Sequence, residues 1–305
     1  MASECAEAAR AFLRAVNALG ARAAEALWAS AAALAGSAAG SRSVSLWSSS
    51  GHERVLAVAP HPDDEAIGCA GTLIRHRQQG DSVRSVVVTD GSRSRALGLD
   101  PQTMAKWRER EAGEAAARMG IESRWIGLLE SDWSDDEARQ AIREQLVEAD
   151  PTIIYAPSAI DYHPDHRRVA RALAAAIAEL QVQPEVRIYA VQVPLTPLLA
   201  GLVHDVSDLQ VRIRSVLGCY ASQRESIAIT RRLRHYAARF YGRASEVEAF
   251  CALTAEDFVS LHARPEVRFR PLMIRAWTDP LTVLVGLPER LSWRLRESVR
   301  AIPQP

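Results

Sequence analysis

The sequence predicts an α/β fold built on a doubly wound, mainly parallel sheet with helices on both faces. Three observations lead to this prediction. Short apolar runs, such as residues 55–59 and 83–89, have the length and composition of strands that are buried on both faces. Each run is followed by a longer segment with helical character. This strand–helix alternation repeats along the chain, which is typical of a Rossmann-like architecture.

The individual elements are recognised by the residues that start and stop them. The first strand ends where two prolines flank His61, since proline cannot donate to a sheet ladder. In the helix that follows, Gly68 and Gly71 should allow close packing on the sheet. Later helices open at Asp100 and at a capping box over residues 134–137. The predicted strands are 55–59, 83–89, 124–126, 152–155 and 186–191, and the predicted helices between them are 66–79, 100–119, 134–149 and 167–180.

The alternation of strands and helices stops after Pro194. Residues 209–220 and 223–241 are predicted to be helical, and the remainder is predicted to be irregular. We therefore divide the chain into three parts: an Ala-rich helical extension and linker at 1–50, an α/β domain at 51–255 and an irregular C-terminal tail at 256–305.

The N-terminal segment resembles a signal sequence only superficially. Residues 1–40 are rich in alanine, but three glutamates fall within the first 25 residues, which does not fit a secretory signal. The apolar run is also too short and too interrupted to span a bilayer. We predict two helices, broken near Gly20 and residues 36–37, followed by a Ser-rich linker that extends through Ser50.

Composition excludes several classes of partner. The 305 residues include 37 basic and 37 acidic side chains, so there is no basic field for nucleic acid and no polybasic segment for a membrane surface. The four cysteines form no CxxC pair and are interpreted as reduced thiols of a cytoplasmic protein. The expected partner is a small molecule, and association with further copies of the chain stays open.

A histidine and three acids lie at the tip of the first strand. His61 is followed by Asp63, Asp64 and Glu65 at the predicted helix start, where open α/β sheets place their ligands. Carboxylates crowded in this way repel one another unless a cation or a proton is shared among them, so a divalent metal is expected. The alternative is that the acids only complement the helix dipole and His61 is a turn residue.

The fourth predicted strand, at residues 152–155, leads into the same kind of sequence. His163, Asp165 and His166 precede a helix there. If the strand order is 3-2-1-4-5, the first and fourth strands are neighbours, and the two motifs face each other across one crevice. Two histidines, one carboxylate and a water form a known catalytic zinc site. A solvated helix start is the alternative for the second motif taken by itself.

Together the two motifs resemble the LmbE-like (PIG-L) family of zinc-dependent N-acetylglucosaminyl deacetylases. The resemblance rests on Pro-His-Pro-Asp-Asp-Glu at 60–65 and His-Pro-Asp-His at 163–166, and it covers about residues 53–251. Shorter similar pieces are 68–72, Thr-Asp-Gly at 89–91, Arg108 with Glu111, and Ala-Ser-Gln at 221–223. The family implies that residues 51–255 form an LmbE-like catalytic domain. A departure is Tyr220, where relatives often carry histidine.

The resemblance implies a role for each matching residue. His61, Asp64 and His166 match the zinc ligands, Asp63 matches the general base, and His163 matches the residue that stabilises the oxyanion or protonates the leaving amine. Asp165 would orient a histidine, and Arg108 would lie near the substrate. In the chemistry we expect, Asp63 takes the proton of an attacking water and a cationic His163 meets the developing oxyanion.

The lesser candidates have ordinary alternatives. Asp132 follows a strand and is predicted to contact a sugar hydroxyl, although a local turn role is as good an interpretation, and Asp90 has the same ambiguity. Arg108 lies among charged residues and is either a substrate ligand or part of a solvated helix face. Cys69 is interpreted as a packing residue.

These observations predict a zinc-dependent hydrolase, with another divalent metal possible, that acts on an N-acyl amino sugar or a conjugate of one. The rival enzyme is a metal-dependent hydrolase of another bond, such as a phosphoester. The rival of another class is a non-catalytic carbohydrate-binding module. No Gly-rich phosphate loop follows the first strand, which argues against a nicotinamide enzyme.

Overall fold

A computed structural model describes residues 45–263 with internal gaps, and within that range one sheet contains eight strands. The predicted N-terminal helices, in residues 1–44, and the part of the tail beyond residue 263 lie outside the described residues. The internal gaps are 160, 162, 192–194, 196–199, 225–226, 228–233, 235–237, 239–240 and 242–244.

The secondary structure of the described residues follows the predicted alternation up to β6. The strands are β1 Ser45–Leu46, β2 Arg54–Ala59, β3 Ser82–Thr89, β4 Glu122–Leu128, β5 Ile153–Ala156, β6 Glu185–Ile188, β7 Leu202–Asp205 and β8 Val247–Leu253. The helices are α1 Asp64–Gln78, α2 Pro101–Met119, α3 Asp135–Ala149, α4 Pro164–Leu180, α5 Gln210–Leu217 and α6 Ala255–His262. None of these helices combines the length and apolar character that crossing a membrane requires.

The strand order places β2 at the switch point of the sheet. From edge to edge the order is β1-β7-β8-β6-β5-β2-β3-β4, and the five strands from β6 to β4 are parallel. The order 3-2-1-4-5, on which the facing of the two motifs depended, is therefore present, with β2 to β6 as strands 1 to 5. As a result, the carboxyl ends of β2 and β5 lie side by side, where ligands bind in sheets of this kind.

Helices cover both faces of the sheet, as a doubly wound fold requires. Successive residues of β2 point to opposite faces. Leu56 packs into a cluster that includes Ile142 of α3 and Leu173 of α4. Val55 packs into a second cluster that includes Leu73 of α1 and residues of α2 and α5. The predicted α/β class is confirmed.

Local capping residues set the helix ends as predicted. The side chain of Asp100 accepts a hydrogen bond from Thr103 N at 3.0 Å, and α2 ends at Gly120 with φ 77°. Ser134 and Glu137 form the predicted capping box of α3. These bonds satisfy backbone groups that the first and last helical turns leave without partners.

The prediction of irregular structure after the last predicted helix is wrong in two places. Residues 247–253 form β8, which pairs antiparallel with β6 and β7, and residues 255–262 form α6. Because β8 lies between β6 and β7 and falls outside the strand–helix alternation, that pattern could not reveal it. Most of the predicted helix at 223–241 lies outside the described residues, and residues 221–223 form a 3₁₀ turn.

The predicted linker is also wrong at its end, because residues 45–47 are part of the folded domain. β1 pairs with β7, and Trp47 is only 8% exposed. Its indole ring stacks on His204 with a centroid distance of 4.4 Å, and its Nε1 donates to the hydroxyl of Tyr155 at 3.1 Å. These partners are remote in sequence, so the Ser-rich composition gave no sign of them.

Helix α1, which carries Asp64, is broken and fastened to β8. Its backbone leaves helical geometry at Cys69, where φ is −150°. Beyond the break, the amides of Gly71 and Thr72 donate to the buried carboxylate of Glu248 at 2.9 and 2.7 Å. A carboxylate at new helix N-termini is favoured by the unpaired amides and by the helix dipole. Glu248 thereby fixes α1 against the sheet.

The close approach of α1 to the sheet that the two glycines predicted is confirmed. A Cβ atom at Gly68 would fall on the ring of Tyr189, and one at Gly71 would lie 2.7 Å from a methyl group of Val206. Tyr189 is fully buried and its hydroxyl donates to the carbonyl of Val58 at 2.8 Å, so the ring cannot move aside.

We therefore expect Gly68→Ala to lower the free energy of unfolding by about 1–3 kcal/mol through overpacking. Gly113→Ala, inside α2, is the matched control, since among the described residues no atom lies within 4 Å of an added Cβ there. That substitution should be neutral or should stabilise by up to about 1 kcal/mol. Denaturant unfolding measures both, and equal effects of the two substitutions would contradict the proposed packing constraint.

Candidate metal centre and catalytic residues

Two strand-end segments bring three donor atoms together. His61 follows β2, Asp64 opens α1, and His166 lies in the first turn of α4. His61 Nδ1 is 3.2 Å from Asp64 Oδ2 and 3.1 Å from His166 Nε2, and His166 Nε2 is 3.1 Å from the same carboxylate oxygen. All three side chains are buried. We call this arrangement the donor triangle.

The donor triangle fits a divalent metal ion. Four ligands placed tetrahedrally at about 2.0–2.1 Å from zinc lie about 3.4 Å apart, close to the edges of the triangle. Two imidazole nitrogens 3.1 Å apart also repel each other unless a proton or a cation lies between them. There are two further groups in which the donor atoms lie within 4.8 Å of one another. One is His61 with His163 and His166, and the other is His61 with Glu130 and Asp165.

The electrostatics of the triangle favour positive charge beside Asp64. Burial disfavours the charged form of His61, but the nearby carboxylates of Asp165 and Asp64 raise its pKa to about 9. Burial likewise opposes ionisation of Asp64, yet His166 and His61 hold the pKa of that carboxyl well below its usual range. The site thus stabilises positive charge beside Asp64, and a divalent ion would also supply such a charge.

Asp63 lies beside the triangle in a constrained conformation. It is the residue before α1, with φ 151°, a value that side chains other than glycine rarely adopt. Its Oδ1 accepts a hydrogen bond from Arg108 Nη2 at 3.0 Å. Burial raises the pKa of Asp63 to about 7, although Arg108 favours the ionised form. Asp63 is therefore held next to the donor triangle by Arg108.

His163 forms the opposite wall of the site. It is the N-cap of α4, and its Nδ1 accepts a hydrogen bond from the backbone amide of Asp165 at 3.2 Å. Its ring meets that of His61 edge-on, with a centroid distance of 4.4 Å. A nitrogen that accepts a hydrogen bond carries no proton, and burial together with the neighbouring His61 and His166 lowers the pKa of His163 to about 2. This environment favours the neutral ring of His163, and the cationic role expected from the sequence stays a prediction.

Arg108 is not part of a solvated helix face. It is 4% exposed, and besides Asp63 it donates to the carbonyls of Pro62 at 2.9 Å and Gly91 at 3.4 Å. An added Cβ at Gly91 would lie 2.5 Å from Arg108 Nη1, so glycine gives the guanidinium its space. Arg108 thus connects the loops after β2 and β3, and its predicted contact with substrate stays a prediction.

The loop after β4 brings an acid that had not been predicted close to His61. Asp132 is exposed, so its contact with a sugar hydroxyl also stays a prediction. Glu130 instead is 8% exposed, and its Oε1 lies 3.7 Å from His61 Nε2. Asp90 accepts from the amides of Ser92 and Glu130, both at 3.0 Å, which is the local loop role that had been the alternative.

A further acid that sequence reasoning missed is Asp161. It is 2% exposed, and its Oδ2 lies 3.2 Å from His166 Nδ1. Asp165, which was predicted to orient a histidine, lies 3.6 Å from His61 Nε2. The only sequence signal for Glu130 and Asp161 is their position just beyond a strand end.

A family model and a curated relative each match part of this chain. The family model described as "PIG-L: GlcNAc-PI de-N-acetylase" matches residues 56–177. A curated relative is the probable N-acetyl-alpha-D-glucosaminyl L-malate deacetylase 2 of Bacillus anthracis, 31% identical over 148 residues, which are 45% of this chain and 65% of the relative. The chain thus spans just under two thirds of that relative's length.

Solved structures share the fold. The N,N'-diacetylchitobiose deacetylase from Pyrococcus horikoshii superposes with a TM-score of 0.56 at 21% identity, covering 67% of this chain and 85% of that one. The 4-carboxy-2-hydroxymuconate hydratase from Pseudomonas putida superposes with a TM-score of 0.55 at 16% identity, covering 71% and 98%. Since a hydratase shares the fold, the fold alone does not set the reaction.

Proposed function

We propose that the chain is a metal-dependent hydrolase of the PIG-L, or LmbE-like, family, whose model matches residues 56–177. It would remove an acyl group, acetyl in the first instance, from an N-acetylglucosaminyl-type amino sugar or a conjugate of one. The observation that carries this proposal is the donor triangle with Asp63 beside it. The similarity to a named N-acetylglucosaminyl deacetylase supports the reaction and the substrate class.

His61, Asp64 and His166 would hold the metal. We take zinc as the ion, since two imidazoles, one carboxylate and a water are a known catalytic zinc set, while another divalent ion could use the same donors. A bound divalent ion polarises the acyl oxygen and makes water acidic enough to lose a proton near neutral pH. Water and amide both need this activation, because neither is reactive enough at neutral pH.

Asp63 is the proposed general base. It lies next to Asp64 in sequence but uses Oδ1 to bind Arg108, so it is oriented separately from the donor triangle. Proton transfer requires a carboxylate that is held within hydrogen-bond reach of the attacking water. Arg108 and the backbone conformation of Asp63 hold it in this way.

His163 is the proposed hydrogen-bond donor to the acyl oxygen as that oxygen gains negative charge. Because its Nδ1 accepts from the backbone of Asp165, its proton resides on Nε2. A neutral imidazole N–H that is fixed by a helix N-cap can stabilise developing charge without reorganising. A cationic His163, as expected from the sequence, would serve the same developing charge.

We further propose that the enzyme acts in the cytoplasm on a small-molecule amino sugar. The three cysteines in the described residues are free and buried, which fits a reducing compartment.

The proposal is tested by metal analysis of the purified protein followed by product assays. We expect about one divalent ion per chain, with acetate release from N-acetylglucosaminyl L-malate or N,N'-diacetylchitobiose that stops after chelation and returns with zinc. A phosphomonoester is the matched control substrate. Release of phosphate without acetate would instead support the phosphoester hydrolase, and a metal-loaded protein that releases neither product would contradict the proposal.

A further inference from the structure

Each histidine of the donor triangle turns its second nitrogen toward a carboxylate. His166 Nδ1 lies 3.2 Å from Asp161 Oδ2. His61 Nε2 lies 3.6 Å from Asp165 Oδ2 and 3.7 Å from Glu130 Oε1. Within the described part of the chain, neither outer nitrogen makes a hydrogen bond of good geometry, and both are buried. Carboxylates therefore lie close to both outer nitrogens without forming a hydrogen bond of good geometry to either of them.

The two rings use opposite nitrogens toward the triangle. His61 presents Nδ1 and His166 presents Nε2. A nitrogen that binds a metal must be unprotonated, so the proton of each neutral ring has to reside on the outer nitrogen. His61 must therefore be the Nε2–H tautomer and His166 the Nδ1–H tautomer. A hydrogen-bond acceptor outside the triangle would favour these two different states before a metal binds.

The carboxylates near the outer nitrogens are themselves fixed. Asp161 Oδ1 accepts from the amide of His163 at 3.4 Å, and its carbonyl accepts from Arg167 Nη1 at 2.6 Å. Glu130 Oε2 accepts from the amide of Arg93 at 2.8 Å, and the Glu130 carbonyl accepts from Arg93 Nε at 2.9 Å. In each case one carboxylate oxygen is anchored by backbone while the other faces a histidine ring.

We propose that Asp161 and Glu130 are positioning residues: Asp161 selects the Nδ1–H tautomer of His166, and Glu130, together with Asp165, selects the Nε2–H tautomer of His61. Each carboxylate accepts the outer N–H and so leaves the inner nitrogen unprotonated and aimed at the metal. It also makes the ring a stronger donor, and such partners typically change metal affinity by about 10–100-fold. This inference rests on the ligand set of the proposed function.

Replacement of Asp161 by asparagine is the sharpest test. An amide is almost isosteric with a carboxylate, but its NH₂ group can donate to Nδ1 and so favour the tautomer of His166 that cannot bind metal. In a serine protease triad the same change keeps the geometry and leaves the wrong tautomer. We expect the zinc affinity of Asp161→Asn, measured by competition with a chelator, to fall about 10–100-fold. Glu130→Gln should lower it in the same direction.

The matched control is Asp136→Asn, which makes the same change at an exposed carboxylate that pairs with Arg139. Its zinc affinity should equal that of the parent. Nitrogen-15 NMR of histidine-labelled, zinc-loaded protein gives a readout that a merely structural role would not move. In the parent we expect His61 protonated at Nε2 and His166 at Nδ1, with solvent exchange of the His166 proton accelerated in Asp161→Asn.

The outcomes separate this inference from the proposed function. Parent-like zinc affinity and unchanged proton exchange in Asp161→Asn and Glu130→Gln would overturn the positioning roles, while acetate release by the parent would leave the function intact. Reduced zinc affinity in both variants, combined with a parent that releases no acetate, would support the positioning roles and reject the function. If Asp161→Asn fails to fold, Glu130→Gln decides the inference by the same measurements.

Discussion

Replacing both His61 and His166 with alanine should remove the metal from the protein. The double substitution leaves only Asp64 of the donor triangle, and a single carboxylate cannot complete a catalytic site that needs three protein ligands. We expect metal content to fall from about one ion per chain to near zero, and acetate release to fall with it. Elemental analysis after dialysis against metal-free buffer measures the first effect.

The control for this substitution is His52→Ala, which removes an exposed histidine that lies before β2. It should retain the metal content and the activity of the parent. Circular dichroism of both variants is needed to show that the double mutant is folded, since the two alanines remove the imidazoles that pair with the buried Asp64. Undiminished metal in a folded double mutant would reject the donor triangle as the metal site.

The central sheet could be predicted because its signals are local. A buried parallel strand is a short apolar run, and a capping residue such as Asp100 or Ser134 marks a helix start wherever the rest of the chain lies. The strand order 3-2-1-4-5 was taken as a condition, and with it the two ligand motifs meet at the switch point of such a sheet. The juxtaposition of the His61 and His163 motifs is the result of both.

The edge of the sheet could not be predicted because its signals are tertiary. In the sequence, Trp47 looks like part of a Ser-rich linker. Its burial is explained by its stacking on His204 and its hydrogen bond to Tyr155. Glu248 interrupts the apolar pattern of β8, although it is buried and bound by the amides of Gly71 and Thr72. Residues of this kind follow no periodic pattern, since partners remote in sequence determine their environment.

The sequence motifs of the site could be predicted, but the residues that contact those motifs in the folded protein could not. Nothing in the sequence around Arg108 indicates that it would be buried against Asp63, because a charged helix face looks the same with and without such a contact. For the same reason Glu130 was not singled out as a neighbour of His61. Two acids in one strand-end loop are equivalent until the loop conformation decides which of them lies near His61.

The substitution Asp63→Asn separates an enzyme from a binding module. Asparagine keeps the size of the side chain and can still accept the hydrogen bond from Arg108, but it cannot take a proton from water. Metal and sugar should therefore bind as in the parent, while turnover should fall by about 10²–10⁴-fold, the usual contribution of general-base catalysis. Metal content, ligand affinity and initial rates of acetate release are the three measurements.

Asp64→Asn is the matched control, because it makes the same change in the adjacent residue. There we expect weaker metal binding and partial recovery of activity with excess zinc, since Asp64 Oδ2 is a corner of the donor triangle. Excess zinc should not restore Asp63→Asn, whose defect lies in proton transfer. If the parent binds a sugar but releases no acetate, and Asp63→Asn is indistinguishable from it, the protein is a carbohydrate-binding module that has the architecture of a hydrolase.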